Sequence, residues 1–338
     1  MSFRTHAART AKARLEPFEY EPGQLGPNEV DVAVTHCGIC HTDVGMVDNE
    51  WGMTKFPFVP GHEIAGTVAA VGSGVDPERL RVGQRVAFGA ICGSCMKCEW
   101  CESGKQNVCA KRVDTVMRGH QGGFATHVRA ADWRFVYPIP DAIAPEHAAP
   151  LLCGGITVFA PLLRYGVRPV DRVAVVGIGG LGHLAVQYLA KWGCEVTAIS
   201  SSHDKEELAR GFGATNFLAT KGTDELKKAA QSFDFILSTV SADLPWDDYL
   251  AALKPQGKLC IVGVPEKPIA FNPFGLLHSE KVVAGGIPGA IVETAQMLAF
   301  TARHGIKPIV ELFPMSESNK ALDHTRQGKA RFRAVLVA

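Results

Sequence analysis

Apolar positions up to Pro150 come in short β-type bursts: Val30-Asp-Val-Ala-Val34, Gly66-Thr-Val-Ala-Ala-Val71 and Arg85-Val-Ala-Phe88, each flanked by Gly or Pro. Short strands punctuated by turn residues predict an antiparallel, barrel-like β domain. From Val173 the texture changes. Val173 to Gly177, Val196 to Ser200, Phe235 to Thr239, Leu259 to Val262 and Val282 to Ala284 are apolar runs separated by helix-length stretches. Runs of this kind are strands buried on both faces, so they predict a parallel sheet of βαβ units, an α/β domain. One helical stretch, Ile291 to His304, and a last apolar run, Arg333 to Val337, close the pattern. Neither an internal repeat nor a low-complexity linker interrupts it, so two directly packed domains are expected, with a cleft between them as the place for chemistry.

Composition narrows the class. With 338 residues, 46% hydrophobic and 20% charged, the chain has the length of two ordinary domains and the balance of a globular protein. Its 35 basic and 34 acidic residues leave a net charge of +1, which creates no overall field for nucleic acid or an anionic membrane. The longest apolar stretch, Ala148 to Leu163, contains Pro150, Gly154, Gly155 and Pro161, and these breakers argue against a membrane span. Arg4, Arg9, Lys12 and Arg14 give the first residues a basic bias, but no apolar signal core follows, so an opening strand and turn are expected there. Ten cysteines in a chain of this size suit a reducing cytoplasm, where closely spaced thiols suggest metal.

Gly177-Ile-Gly179-Gly180-Leu181-Gly182 follows the first strand of the second half and opens the helix-like His183 to Ala190. Glycines in that context permit a tight turn and let backbone N–H groups reach a pyrophosphate at a helix N-terminus. An acid some 20 residues on would mark NAD by bonding the ribose 2′-OH. Here the second strand ends in Ser200-Ser201-Ser202-His203-Asp204-Lys205 instead, with Ser201 where the acid would stand. Hydroxyls and a lysine receive a 2′-phosphate that a carboxylate would repel, so NADP(H) is the expected cofactor. The alternative is that Asp204 reaches the ribose while the serines cap the next helix.

Two metal constellations are expected. Cys95, Cys98, Cys101 and Cys109 form C-x2-C-x2-C-x7-C, the spacing of a closed, structural zinc site, with Cys92 a possible substitute for one ligand. A nucleic-acid-binding zinc ribbon would need a basic cluster that the segment lacks. Cys40, His62, Glu63 and Cys153 are spread along the chain. Two thiolates and an imidazole make a catalytic zinc set with a fourth position open, but spacing alone does not join these residues, and a lone buried cysteine is usually packing.

Taken in order, Cys40-His-Thr-Asp43, Val59-Pro-Gly-His-Glu-Ile64, the four-cysteine lobe, Gly122-Gly-Phe-Ala125, Leu151-Leu-Cys-Gly-Gly-Ile-Thr157, Gly177 to His183 and Glu311-Leu-Phe-Pro-Met315 resemble the zinc-containing medium-chain alcohol dehydrogenases. The likeness is to the cinnamyl alcohol dehydrogenase branch, and Asp48-Asn-Glu-Trp51 is similar to its bacterial NADPH-dependent aldehyde reductases. The resemblance implies a GroES-like catalytic domain, 1–152 with 291–338, and an inserted Rossmann NADP(H)-binding domain, 153–290. It implies that Cys40, His62 and Cys153 hold a catalytic zinc, with Glu63 an alternate ligand, and that a second zinc sits in the lobe. Asp43 would orient the histidine and Thr42 would bond the substrate oxygen. His41, Thr157, Gly177, Gly179, Gly180, Leu181 and Gly182 would meet the cofactor, and Ser201, Ser202 and Lys205 its 2′-phosphate. Glu206 departs from the second lysine common in relatives, and Gly45 from a histidine that finishes a proton relay. The implied activity is reversible reduction of aliphatic or aromatic aldehydes by a cytoplasmic homodimer, with small-molecule substrates and neither nucleic acid nor membrane as partner. Trp51, Met53 and Phe56 are apolar candidates for pocket or core. Rival readings are an NAD-dependent polyol or sugar dehydrogenase and a non-catalytic NADPH-binding sensor.

Overall fold

The computed structural model describes residues 2–117, 121–265 and 267–338. Contacts divide the chain into two compact units, Met1–Ile156 with Pro288–Ala338, and Thr157–Ile287.

The first unit is built on a seven-stranded sheet. Its spine is Val30–Ile39, a strand buried along most of its length. One edge of this strand pairs antiparallel with Glu63–Val71, which continues through Arg85–Phe88 to Tyr137–Pro138. The other edge is shared: His127–Ala130 pairs with its first half and Arg333–Val337 with its second. Register shifts at Asp31/Val32 and Val34/His36 mark bulges, which bend a strand and raise its twist, as a barrel-like sheet requires. Val310–Pro314 adds at the far edge, parallel to Arg333–Val337. The core beneath holds Phe88, Phe124, Ile64, Ile39 and Met46, all essentially without solvent contact. Phe3–Ala7 and Glu16–Tyr20 form an antiparallel pair, so the basic opening residues lie in strand and turn.

The segment expected to be broken is a single helical run, Pro145–Arg164. Leu151–Gly155 winds as a π-turn directly after Pro150, and that wider turn absorbs the hydrogen bond a proline cannot make. By length and composition alone the run is able to cross a membrane, but 83% of its apolar window is buried inside the protein, which makes it a core helix.

The second unit is a six-stranded, all-parallel sheet in the spatial order Asn216–Ala219, Glu195–Ser200, Arg172–Val176, Phe233–Ser238, Leu253–Ile261, Val282–Gly285. Counted along the chain the order is 3-2-1-4-5-6, that of a dinucleotide-binding doubly wound sheet, reversing between Arg172–Val176 and Phe233–Ser238. Asn216–Ala219 was not among the expected strands: four residues opening on Asn carry too little periodicity to register. The unit's two ends lie together, with the Tyr165 hydroxyl on the Gly285 carbonyl at 2.5 Å and Arg164 on that of Ile287 at 3.3 Å.

Phe235 stands in the middle of this sheet and is 2% exposed. Phe235→Ala should cost about 3–5 kcal/mol, read as a lower urea midpoint for the unfolding of this unit; a wild-type midpoint would refute its place in the core.

Candidate metal and dinucleotide sites

The first site gathers at the end of the spine strand. Cys40 follows Ile39 in extended conformation and leads directly into the helix His41–Asp48. Asp43, fully buried in the first turn of that helix, accepts from the Cys40 N–H at 2.9 Å through Oδ2 and from the Gly61 N–H at 2.8 Å through Oδ1. Its Oδ1 also stands 3.0 Å from His62 Nδ1. The carboxylate therefore holds the Nδ1–H tautomer and leaves Nε2 with its lone pair facing inward. Nε2 is 3.2 Å from Cys153 Sγ, which the π-turn of the long helix delivers, and the two sulfurs of Cys153 and Cys40 are 3.9 Å apart. Ligand atoms of Cys40, His62, Glu63 and Cys153 all lie within 4.8 Å of one another. Three segments far apart in sequence thus meet in one pocket.

Burial on its own would lower His62, but the Asp43 carboxylate reverses this and holds the ring well above its ordinary value, which makes it a stronger donor. The bond from Cys153 draws Cys40 well below its ordinary range against the effect of burial, with Arg333 adding to the pull. Burial pushes Glu63 up to about 8, while Arg333 pulls it back and Cys40 adds to the rise. Neither Glu63 oxygen has a hydrogen-bond donor among the described residues, although Arg333 Nη1 is 3.4 Å away. Only a glycine at position 38 leaves room for this carboxylate, since a Cβ there would stand 2.0 Å from Glu63 Oε2. A tetrahedral zinc with Zn–S near 2.3 Å requires sulfurs about 3.8 Å apart, so the donor set fits that metal in type and spacing.

Thr42 is half-buried in the first helical turn, its Oγ1 3.8 Å from Cys40 Sγ, and His41 beside it is exposed. At Gly45 the space of a side chain is taken: a Cβ would stand 2.8 Å from Glu50 Oε2 and 2.9 Å from the Trp51 ring. Trp51 and Met53 are surface residues, whereas Phe56 packs on the core of the first unit.

The second cluster is Cys95, Cys98, Cys101 and Cys109. Its sulfurs lie 3.9 Å (Cys95 to Cys101), 3.8 Å (Cys98 to Cys109) and 3.5 Å (Cys109 to Cys95) apart, again the edge lengths of a tetrahedron of thiolates around zinc. Cys92 is not part of it; that thiol is buried and directed at the Val113 carbonyl.

In the second unit Gly177 ends the strand Arg172–Val176 and Gly182 opens the helix Gly182–Trp192, at the switch point of the sheet. A Cβ at position 182 would stand 1.7 Å from the Gly177 carbonyl oxygen, so only glycine closes this turn. Gly179, Gly180 and Leu181 form its partly exposed crest, and Thr157 is buried on Ile156–Arg164. At the end of Glu195–Ser200, Ser201 is exposed, and Ser202 donates to Asp204 at 2.9 Å, which ties up that acid. Lys205 Nζ reaches back 2.9 Å to the Ile178 carbonyl in the glycine turn. Glu206 is engaged by His203 and Arg210, each at 2.8 Å, so its charge is neutralised locally.

Two residues of these sites escaped sequence reasoning. Arg333 is 5% exposed beside Glu63, and its one signal is a cation opening an otherwise apolar strand. His183 is fully buried behind the glycine turn, in what reads as a helix face.

Residues 26–141 match the family described as alcohol dehydrogenase GroES-like domain, and residues 180–303 match zinc-binding dehydrogenase. The chain is 45% identical to the aldehyde reductase AdhA of Synechocystis, over 98% of both proteins. Among solved structures it is similar to a cinnamyl alcohol dehydrogenase of Sorghum bicolor, with a TM-score of 0.93 and 35% identity, covering 100% of this chain and 98% of that one. A cinnamyl alcohol dehydrogenase of Helicobacter pylori, solved with NADP(H), gives a TM-score of 0.91 at 30% identity over 100% and 98%. The chain belongs to the zinc-containing medium-chain alcohol dehydrogenases, in the cinnamyl alcohol dehydrogenase branch.

Asp43→Asn should weaken metal retention in the first site by about 10–100-fold, measured by competition with a zinc chelator. Retention equal to wild type would refute Asp43 as the group that orients His62.

Proposed function

We propose that the protein is an NADP(H)-dependent zinc alcohol dehydrogenase that reduces aliphatic or aromatic aldehydes to primary alcohols, and runs in reverse on the alcohols. The convergence of Cys40, His62 and Cys153 in one buried pocket carries this reading. In it, 1–152 with 291–338 is the catalytic domain and 153–290 the cofactor domain.

Cys40, His62 and Cys153 hold the catalytic metal, Glu63 is its alternate ligand, and the four-cysteine lobe holds a structural one. Bound in the first site, zinc supplies Lewis acidity toward a carbonyl or alcohol oxygen. NADP(H) supplies or accepts the hydride. Asp43 fixes His62, and Arg333 balances the charge of Glu63 and the thiolates. Thr42 would hold the substrate oxygen through Oγ1 and relay a proton to it, regaining its own from water, since glycine at position 45 offers no side chain to continue the path. The turn from Gly177 to Gly182 presents its N–H groups to the pyrophosphate, with Thr157 of the same unit assisting, while Ser201, Ser202 and Lys205 take the 2′-phosphate. NADP(H) in the Helicobacter pylori relative supports this choice of cofactor.

A homodimer is the proposed assembly. Val282–Gly285 is the last strand of the six-stranded sheet, and Val282, Phe274 and Leu277 are exposed around that end, surface that a second copy would cover. All ten cysteines are free thiols, which suits the cytoplasm.

Initial rates with cinnamaldehyde, benzaldehyde and a medium-chain aliphatic aldehyde test the reading, on protein of known zinc content. NADPH should support turnover well above NADH. Turnover with NADH alone would point to the NAD-dependent class, and none with either cofactor, at full zinc, to a sensor. Ser201→Asp should cut the NADPH preference by about tenfold or more, because like charges in contact cost several kcal/mol. Cys153→Ser should abolish turnover and lose one zinc while NADPH still binds; full activity in that variant would end the zinc assignment.

A further inference from the structure

Three consecutive carbonyl groups of the glycine turn are each met by a side chain from a different element. Thr239, just after the strand Phe233–Ser238, places Oγ1 3.0 Å from the Gly177 oxygen and 2.9 Å from that of Val176. Lys205 donates to the Ile178 oxygen at 2.9 Å. His183 Nδ1 lies 2.9 Å from the Gly179 oxygen, which the backbone N–H of His183 also reaches at 3.0 Å. A carbonyl can only accept, so this imidazole carries its proton on Nδ1. The ring is fully buried and stands edge-on to Phe212, 5.8 Å between centroids, so it has little freedom to leave.

In a trans peptide the carbonyl of one residue and the N–H of the next point in opposite directions. Holding the oxygens of Gly177, Ile178 and Gly179 therefore aims the N–H groups of Ile178, Gly179 and Gly180 the other way. Among the described residues those three N–H groups have no acceptor. We propose that His183, with Thr239 and Lys205, is a positioning residue: it locks the peptide planes of the turn so that its N–H groups face the cofactor's pyrophosphate before the cofactor arrives. The inference rests on the turn being the pyrophosphate cradle, as argued under the proposed function. Lys205 then has two tasks, because its ammonium both caps the turn and stands at the place proposed for the 2′-phosphate. His183 has one, and it concerns a group that NADPH and NADH share.

The test is titration of the zinc-loaded protein with NADPH and with NADH, following nucleotide fluorescence. His183→Leu keeps apolar bulk and removes the donor; it should raise both dissociation constants by about tenfold, leave their ratio unchanged, and raise KM for NADPH while kcat at saturation holds. His183→Asn, which offers an N–H near the place of Nδ1, should recover most of the loss. Lys205→Met, by contrast, should weaken NADPH more than NADH. Wild-type affinity in His183→Leu would overturn the inference, and so would His183→Asn binding as weakly as His183→Leu, since packing alone would then explain the loss. Should His183→Leu fail to fold, Thr239→Val takes its place: a parallel rise in both constants supports the locked turn, and unchanged constants overturn it. Wild-type protein that binds neither nucleotide would instead bring down the reading of the turn itself.

Discussion

One buried carboxylate, that of Asp43, ties together the parts of the metal pocket in the first unit. It joins the N–H of Cys40 at the end of the spine strand, the N–H of Gly61 in the next loop, and the ring of His62. A carboxylate without solvent is tolerated only when its oxygens are this fully engaged, and each of its bonds also fixes a group that must face the metal. Strand end, loop and helix start are therefore held in one geometry by a side chain that needs no contact with substrate. Glu63 and Arg333 are the complementary case, a buried acid and base whose hydrogen bonding is incomplete beside the same pocket. A cation placed among the two thiols and the imidazole gives those charges a common centre.

Much of this was legible in the chain. The runs Val30–Val34, Ile291–His304 and Arg333–Val337 announce themselves because strand and helix periodicities differ and the turns around them carry Gly and Pro, although the first strand goes on to Ile39. The four-cysteine lobe and the glycine turn are local patterns whose chemistry is written in their spacing. The pocket of Cys40, His62 and Cys153 is different in kind. More than one hundred residues separate its thiols, and only the family likeness links them before the fold brings them together. Arg333 lay beyond reach for the same reason: its partner, Glu63, is far away along the chain, while in the sheet a single strand lies between theirs.

Pro150, Gly154, Gly155 and Pro161 argue against a membrane span, yet they lie within one helical run, and at Pro150 the turn that follows widens to accept the proline. That wider turn is also what carries Cys153 to the metal pocket. A feature that looks like damage to a helix is thus the device that aims a ligand, in keeping with the frequent placement of π-turns at functional sites.

The ends of the second unit, joined by Tyr165 to Gly285 and by Arg164 to Ile287, bear on how the chain reaches its native state. The first unit is discontinuous, and its sheet depends on strands drawn from both sides of the insertion. Left as flexible chain, the inserted stretch would impose the entropy of closing a very long loop on that pairing. Once the parallel sheet has formed, its two exits emerge side by side, and the effective loop shrinks to the width of that clasp. The dinucleotide-binding unit thereby serves the other as a folding staple, and a break in the clasp would slow assembly of the metal-bearing sheet without touching any of its residues.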